Sequence, residues 1–252
     1  MRRILILAIM IINGEIFSQG FDWQYSFRLP YKIPDKFIGF NLNYSINKNT
    51  GNFEFMEDYI PCCKYNSGNG YSLNFGIAYE NWINPLGALT ININYSTTNS
   101  SFNQTIQIPR SDGINDYYSI YKYEMDEKRT NLNLLAKYKH RLFKSHLSAN
   151  LGVDVMYFLG SNATHTEEII APETETFINQ TRKRIIKKGI YGDYNKFGLS
   201  LVLGLCYDYS IYRGYYASIS SAIHIPITKI IQNQDWKEWK FVFSITILKS
   251  ID

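Results

Sequence analysis

Phe197-Gly198-Leu199-Ser200-Leu201-Val202-Leu203-Gly204-Leu205-Cys206-Tyr207-Asp208 decides the fold. Every second residue is apolar or aromatic, from Phe197 to Tyr207, and the residues between are mostly small or polar. Side chains alternate faces along a strand, so this segment is a strand with one oily face and one small or polar face. The pattern recurs seven times. Ile38, Phe40, Leu42, Tyr44 and Ile46 form such a row in 36–47, and Tyr71, Leu73, Phe75, Ile77 and Tyr79 in 70–82. Segment 86–97 has Leu89, Ile91, Ile93 and Tyr95, and 129–140 has Leu132, Leu134, Ala136 and Tyr138. Segments 146–158, 214–225 and 239–249 repeat it, the last through Trp239, Phe241, Phe243, Ile245 and Ile247.

A soluble sandwich also alternates, so the connections and the aromatics must separate the readings. Residues 82–85, 141–145 and 209–213 are tight turns, whereas 48–69, 98–128, 161–196 and 226–238 are long and polar. Strict alternation of short and long connections, with an even strand count, is what an outer-membrane barrel requires. Tyr44, Tyr71, Tyr95, Tyr157, Phe197 and Trp239 sit at strand ends beside long connections. Tyr79, Tyr138, Tyr207 and Tyr215 sit beside short ones. Tyr71 and Tyr79 are roughly 20 Å apart along a tilted strand, near the height of a barrel's apolar band. Two aromatic belts at that separation predict girdles at two membrane–water boundaries. The expected fold is therefore all-β: an eight-stranded antiparallel up-and-down transmembrane barrel with short periplasmic turns and long extracellular loops.

The N-terminus agrees. Met1-Arg2-Arg3 is a basic flank, Ile4 to Ile12 an apolar run, and Ser18 a small residue before a cut. That order reads as an export signal over 1–18, too short to cross a bilayer as a helix. Residues 19–35 follow as a periplasmic lead whose Pro30 and Pro34 argue against a long strand, and the barrel occupies 36–249. The net charge of +4 is not gathered into one basic face, so nucleic-acid binding is not expected. No later segment carries the apolar run of a transmembrane helix.

The chain resembles the outer-membrane β-barrel proteins of the OmpA and OmpX type, in the form common in Bacteroidetes. The resemblance covers roughly residues 36 to 249. It is carried by the alternating strands, by Phe17-Ser18-Gln19, and by Cys62-Cys63 ahead of Gly68-Asn69-Gly70. It implies location in the outer membrane of a Gram-negative cell. One departure is the terminus, Lys249-Ser250-Ile251-Asp252, where such barrels usually end on an aromatic residue.

An eight-stranded barrel is just wide enough for side chains to fill. Asn41, Asn43, Asn74, Asn92, Asn94, Asn131, Asn133 and Asn150 fall in the inward rows, with charges among them. Buried charges need partners, so Glu80, Asp154 and Asp208 are expected to meet Lys137, Lys139 and Lys240. Cys62 and Cys63 are candidates for a vicinal disulfide stapling the first long loop. In the third, Glu167, Glu168, Glu173 and Glu175 precede Arg182, Lys183, Arg184, Lys187 and Lys188. Opposite charges stabilise cross-strand pairs, so an acidic arm facing a basic arm is expected above the membrane. The alternative for these charges is binding of lipopolysaccharide or another polymer.

Of four histidines only His165 and His224 lie near the long-loop rim, and no metal motif or nucleophile elbow occurs. No cofactor, metal site or catalytic residue is expected. The sequence favours a monomeric, non-enzymatic protein with a structural, adhesive or surface-recognition role in its loops. Its expected surroundings are outer-membrane lipid and lipopolysaccharide, with an extracellular ligand or periplasmic partner of unknown identity. The alternatives are a small transport- or secretion-associated barrel, or a rim enzyme on lipid that would use His224 or His165.

Overall fold

In the computed structural model, strands dominate a chain described over 35–57, 60–111, 113–142, 145–189, 193–212 and 214–251, with the side chains of 53–63 and 187–189 outside that description. The export signal over 1–18 and the lead over 19–35, Asp35 excepted, fall outside the described residues, as do the side chains of Cys62 and Cys63.

Nine strands are described: β1 Lys36–Glu57, β2 Ile60–Asn84, β3 Gly87–Ser111, β4 Asp116–Arg141, β5 Leu147–Ala171, β6 Lys183–Gly189, β7 Phe197–Tyr212, β8 Tyr215–Pro226 and β9 Asp235–Ser250. Eight close a ring, β1 pairing β2 and β9, and β4 pairing β5, all antiparallel. The ninth, β6, pairs only β5 among the described strands and lies beyond the end of β7. Closure leaves the ring no unpaired edge.

The strands correct the expected boundaries. Strands were expected to stop near Asn47, Thr97 and Phe158, with polar loops beyond. Instead β1 runs to Glu57, β3 to Ser111 and β5 to Ala171, so most of the "loops" are hydrogen-bonded hairpins. Thr98 pairs with Arg129 and Ser111 with Asp116, one ladder continuing to the tip. The expectation failed because those segments lack an outward apolar row, although the backbone pairing persists.

The faces are the reverse of a soluble protein's. Phe40 is 75% exposed and Phe75 56%, while Asn41 and Asn74 on the opposite face are buried. At the long-hairpin end the chemistry inverts without any change in which residues point inward. Along β4, Asn131 and Asn133 point in while Leu132 and Leu134 point out. Higher on the same strand, Tyr121, Tyr123 and Met125 point in, and Lys122, Glu124 and Asp126 lie on the outer side. β3 does the same, from Leu89, Ile91, Ile93 and Tyr95 outside to Phe102 inside. The barrel is thus an apolar-belted lower part carrying an upper extension that packs like a water-soluble protein.

Two glycines are needed for this path. Gly214 has φ 72° in the tight turn between β7 and β8, a conformation L side chains rarely adopt. A Cβ on Gly39 would run into the Ile247 carbonyl across the β1–β9 seam. We expect Gly39→Val to block seam closure: the wild-type protein should migrate faster unboiled than boiled on a detergent gel, and the variant should lose the fast band.

Candidate functional site: a plugged lumen and an aromatic mouth

The lumen is closed at both ends. At the short-turn end, Phe37, Ala78, Trp82, Ala88, Tyr216 and Leu248 form a buried cluster, with Phe37 edge-on to Tyr216 at 4.9 Å. Lys139 Nζ lies 2.6 Å from Asp208 and 3.3 Å from Glu80, and Tyr216 donates its hydroxyl to Glu80. Lys139 and Arg141 also sit over the Trp82 ring, at 5.2 and 4.4 Å. At the other end Arg129 donates to Glu238 at 2.7 Å and contacts Glu127 at 3.5 Å. The Trp236 ring lies against Arg129, 5.5 Å away, and Phe102 meets Trp236 edge-on at 5.1 Å.

Between the plugs lies a polar middle. A cavity of about 30 Å3, lined by Asn43, Asn74, Asn94, Asn133, Asn150, Asp154 and His224 among others, has room for one water. Asp154 takes hydrogen bonds from Asn133 at 3.1 Å and contacts His224 Nδ1 at 3.2 Å.

The expected charge partners are therefore only partly brought together. Glu80, Asp208 and Lys139 meet. Asp154 instead has Asn133 and His224, and Lys240 turns to Glu238 at 3.3 Å. Lys137 lines the central cavity and, among the described residues, makes no ion pair or hydrogen bond. Lys139, two residues along the same inward row, already occupies both carboxylates. Sequence reasoning could place these groups on one face but not rank their distances around the ring. Arg129, Glu127 and Glu238 were missed for the opposite reason: they stand in stretches read as loop or strand end.

The aromatic residues expected as girdles all lie on the outer face, with Tyr44, Tyr71, Tyr95, Tyr157, Phe197, Trp239, Tyr138 and Tyr215 exposed and Tyr79 and Tyr207 half-buried. His165 and His224 are buried rather than displayed at a rim. His165 lies in the extension, its Nε2 2.7 Å from the Tyr65 hydroxyl, with the Tyr123 ring beside it.

The extension ends in a mouth. Its core of Tyr65, Phe102, Tyr121, Tyr123, Met125, Ile169, Tyr194, Ile230, Ile231 and Trp236 is buried. Above it opens a cup of about 590 Å3 lined by Ile108, Arg110, Tyr121, Glu167, Thr176, Phe177, Ile178, Asn179 and Arg184. Arg184 bonds Glu167 at 2.7 Å and stacks over Phe177 at 4.4 Å. Tyr123 donates to the other Glu167 oxygen at 2.8 Å, and burial, then that bond, raises its pKa. Glu175 accepts from Ser119 at 2.5 Å and Tyr121 at 2.7 Å, which holds it below the usual carboxylate range. The acidic and basic arms face each other in part: Glu167 opposes Arg184 and Glu168 opposes Lys183, whereas Lys187 and Lys188 stand opposite His165 and Thr164. Lys183 lies 3.7 Å from Glu168 and 3.0 Å from Glu124 on β4. Glu175, by contrast, leaves that pairing for Ser119 and Tyr121.

No family model matches the chain, and no curated protein matches it. Among solved structures it is similar to Neisserial surface protein A, with TM-score 0.34 and 9% identity over 83% of this chain and 96% of that one. Ail, the attachment invasion locus protein of Yersinia pestis, gives TM-score 0.33 and 9% identity over 85% and 99%. The outer-membrane protease OmpT of Escherichia coli gives 0.32 and 9% over 89% and 99%. A likeness of this depth decides neither site nor partner.

The plugs and the extension each yield an expectation. Lys139→Met removes the cation bonded to both Glu80 and Asp208 and should cost about 3–5 kcal/mol, whereas Lys137→Met removes a charge with no ion pair among the described residues and should stabilise by roughly 1–3 kcal/mol. Urea unfolding of the folded band in micelles separates the two. Burial lowers the His165 pKa to about 4 from 6.5, with the Glu167 charge opposing. Between those values the unfolded segment binds the proton and the folded one does not, so the extension keeps full stability above 6.5 and loses it as pH falls. Proteolysis of the hairpins should accelerate from pH 7 to pH 5, and His165→Gln should flatten that dependence.

Proposed function

We propose that this chain is an integral outer-membrane barrel of the small OmpA/OmpX-like kind, with a structural, adhesive or surface-recognition role carried by its upper extension. The observation that carries the reading is the belt. Phe40, Leu42, Tyr44, Phe75, Ile77, Ile93, Leu134, Leu203, Phe243 and Ile245 are all exposed on the outer wall of a closed ring. Soluble monomers rarely show contiguous apolar patches above a few hundred Å2, and a closed sheet is one of only two backbones lipid tolerates. In this reading membrane lipid and lipopolysaccharide surround the belt, the short turns lie in the periplasm, and the extension stands outside the cell. The protein acts as a monomer, since closure leaves the ring no edge to share.

Two plugs of packed aromatic residues and ion pairs fill the lumen, which supports recognition over transport. Burial of His165 and His224 supports a non-enzymatic role without cofactor, because a rim acid–base group must reach its substrate. Loops on a rigid scaffold commonly carry binding, and here they are themselves scaffolded.

Two measurements test this. In planar bilayers the purified protein should give no stepwise conductance; steady open-channel steps would favour the transport reading instead. In intact cells, in a background with Cys62, Cys63 and Cys206 replaced by Ser, a membrane-impermeant maleimide should label Ile178→Cys and spare Ser210→Cys near the opposite end; the reverse pattern would overturn the proposed orientation.

A further inference from the structure

The cup at the mouth carries more than a general recognition role. Its charged groups are unequally occupied. Both Glu167 oxygens are taken, one by the Tyr123 hydroxyl and the other by Arg184. Both Glu175 oxygens are taken by Ser119 and Tyr121. Arg184 is committed to Glu167 and held flat over Phe177. Arg110 is different: among the described residues its one hydrogen bond goes from Nη2 to the Tyr121 hydroxyl at 3.2 Å, and Glu175 attracts it across that hydroxyl without a direct ion pair. A guanidinium has five donors in a planar fork suited to a carboxylate, and Arg110, exposed in the cup wall, keeps most of them open to solvent or a ligand.

The remaining wall is mixed, with Thr176 and Asn179 supplying polar groups beside an apolar side. Ile108 lines the cup beside Arg110, Phe177 is pinned by the Arg184 stack, and Ile178 is wholly exposed to the opening. About 590 Å3 lies within the range of small-ligand pockets. A fork with no direct carboxylate contact, beside an aromatic and two branched aliphatic side chains, matches one ligand chemistry.

Resting on the surface-recognition reading above, we propose that the mouth cup binds a free carboxylate carried on an apolar or aromatic body of amino-acid to short-peptide size. Arg110 takes the carboxylate, and Phe177, Ile178 and Ile108 take the body. Arg184 and Glu167 position Phe177 without touching the charge.

The test uses the full chain in lipid nanodiscs, with empty nanodiscs as blank, titrated with dansyl-phenylalanine and with its C-terminal amide. The acid should bind at least tenfold more tightly than the amide. Arg110→Gln should bring the acid down to the amide's affinity, Arg110→Lys should keep part of the difference, and Phe177→Ala should weaken both forms alike. Each variant is checked for the heat-shifted gel band, so loss of folding is seen separately. Equal binding of acid and amide to the wild-type protein, or unchanged discrimination in Arg110→Gln, overturns the proposal. Surface labelling of Ile178→Cys is independent of this titration: labelling with no discrimination sinks the ligand alone, and no labelling sinks the orientation on which a surface role rests.

Discussion

Everything in this structure follows from closing an alternating sheet on itself. Once β1 bonds to both β2 and β9, and β4 to β5, every strand has one row inside and one outside, and neither row can escape its surroundings. The outward row then records what the wall touches. Along β4 the inward positions stay odd-numbered from Ser119 to Arg141, yet the apolar residues move from the outer row to the inner one. A single medium outside would not ask for that inversion. Two media do: an apolar one against Leu132 and Leu134, and water against Lys122, Glu124 and Asp126.

The inversion also explains why the plugs sit where they do. Where the outside is apolar, hydrophobic burial in the lumen is not needed to hold the wall, and carboxamides and charges fill it. Such groups must find partners in a confined, weakly screening space. Lys139 serves two carboxylates at once, and Arg129 serves two more. Among the described residues, Lys137 shares the same row without an ion pair. Where the outside is water, the interior becomes an aromatic core of the ordinary kind, built from Tyr65, Phe102, Tyr121, Tyr123 and Trp236. That core stiffens the hairpins and presents a shaped cup at their end. The extension thus has a buried core of its own, on strands continuous with those of the belt.

Much of this was legible beforehand. The period-2 rows, the alternation of short and long connections and the two aromatic belts followed from residue order alone, because pleat geometry makes facing a matter of counting. The pairing of Glu167 and Glu168 with Arg184 and Lys183 was legible too, since the charges lie on two arms of one hairpin. The length of the hairpins was not recognised, although the signal was present. Tyr121-Lys122-Tyr123-Glu124-Met125-Asp126 alternates as strictly as Asn131-Leu132-Asn133-Leu134, with the opposite phase. The outward apolar row ends where the inward one begins, so the strand continues past the point where one phase of the pattern stops.

What the sequence by itself determined is local: which residues share a face, where the chain must turn, and that the outer row is oily over eight segments. What only the tertiary structure decided is which groups meet across the lumen and the mouth. Asp154 reaches His224 from 70 residues away and Arg129 reaches Glu238 from 109. Those distances depend on ring order, strand tilt and stagger, which set each residue's height and azimuth together. Arg110 shows the same limit, because only the fold sets Glu167 against Tyr123 and Arg184 and puts the Tyr121 hydroxyl between Arg110 and Glu175.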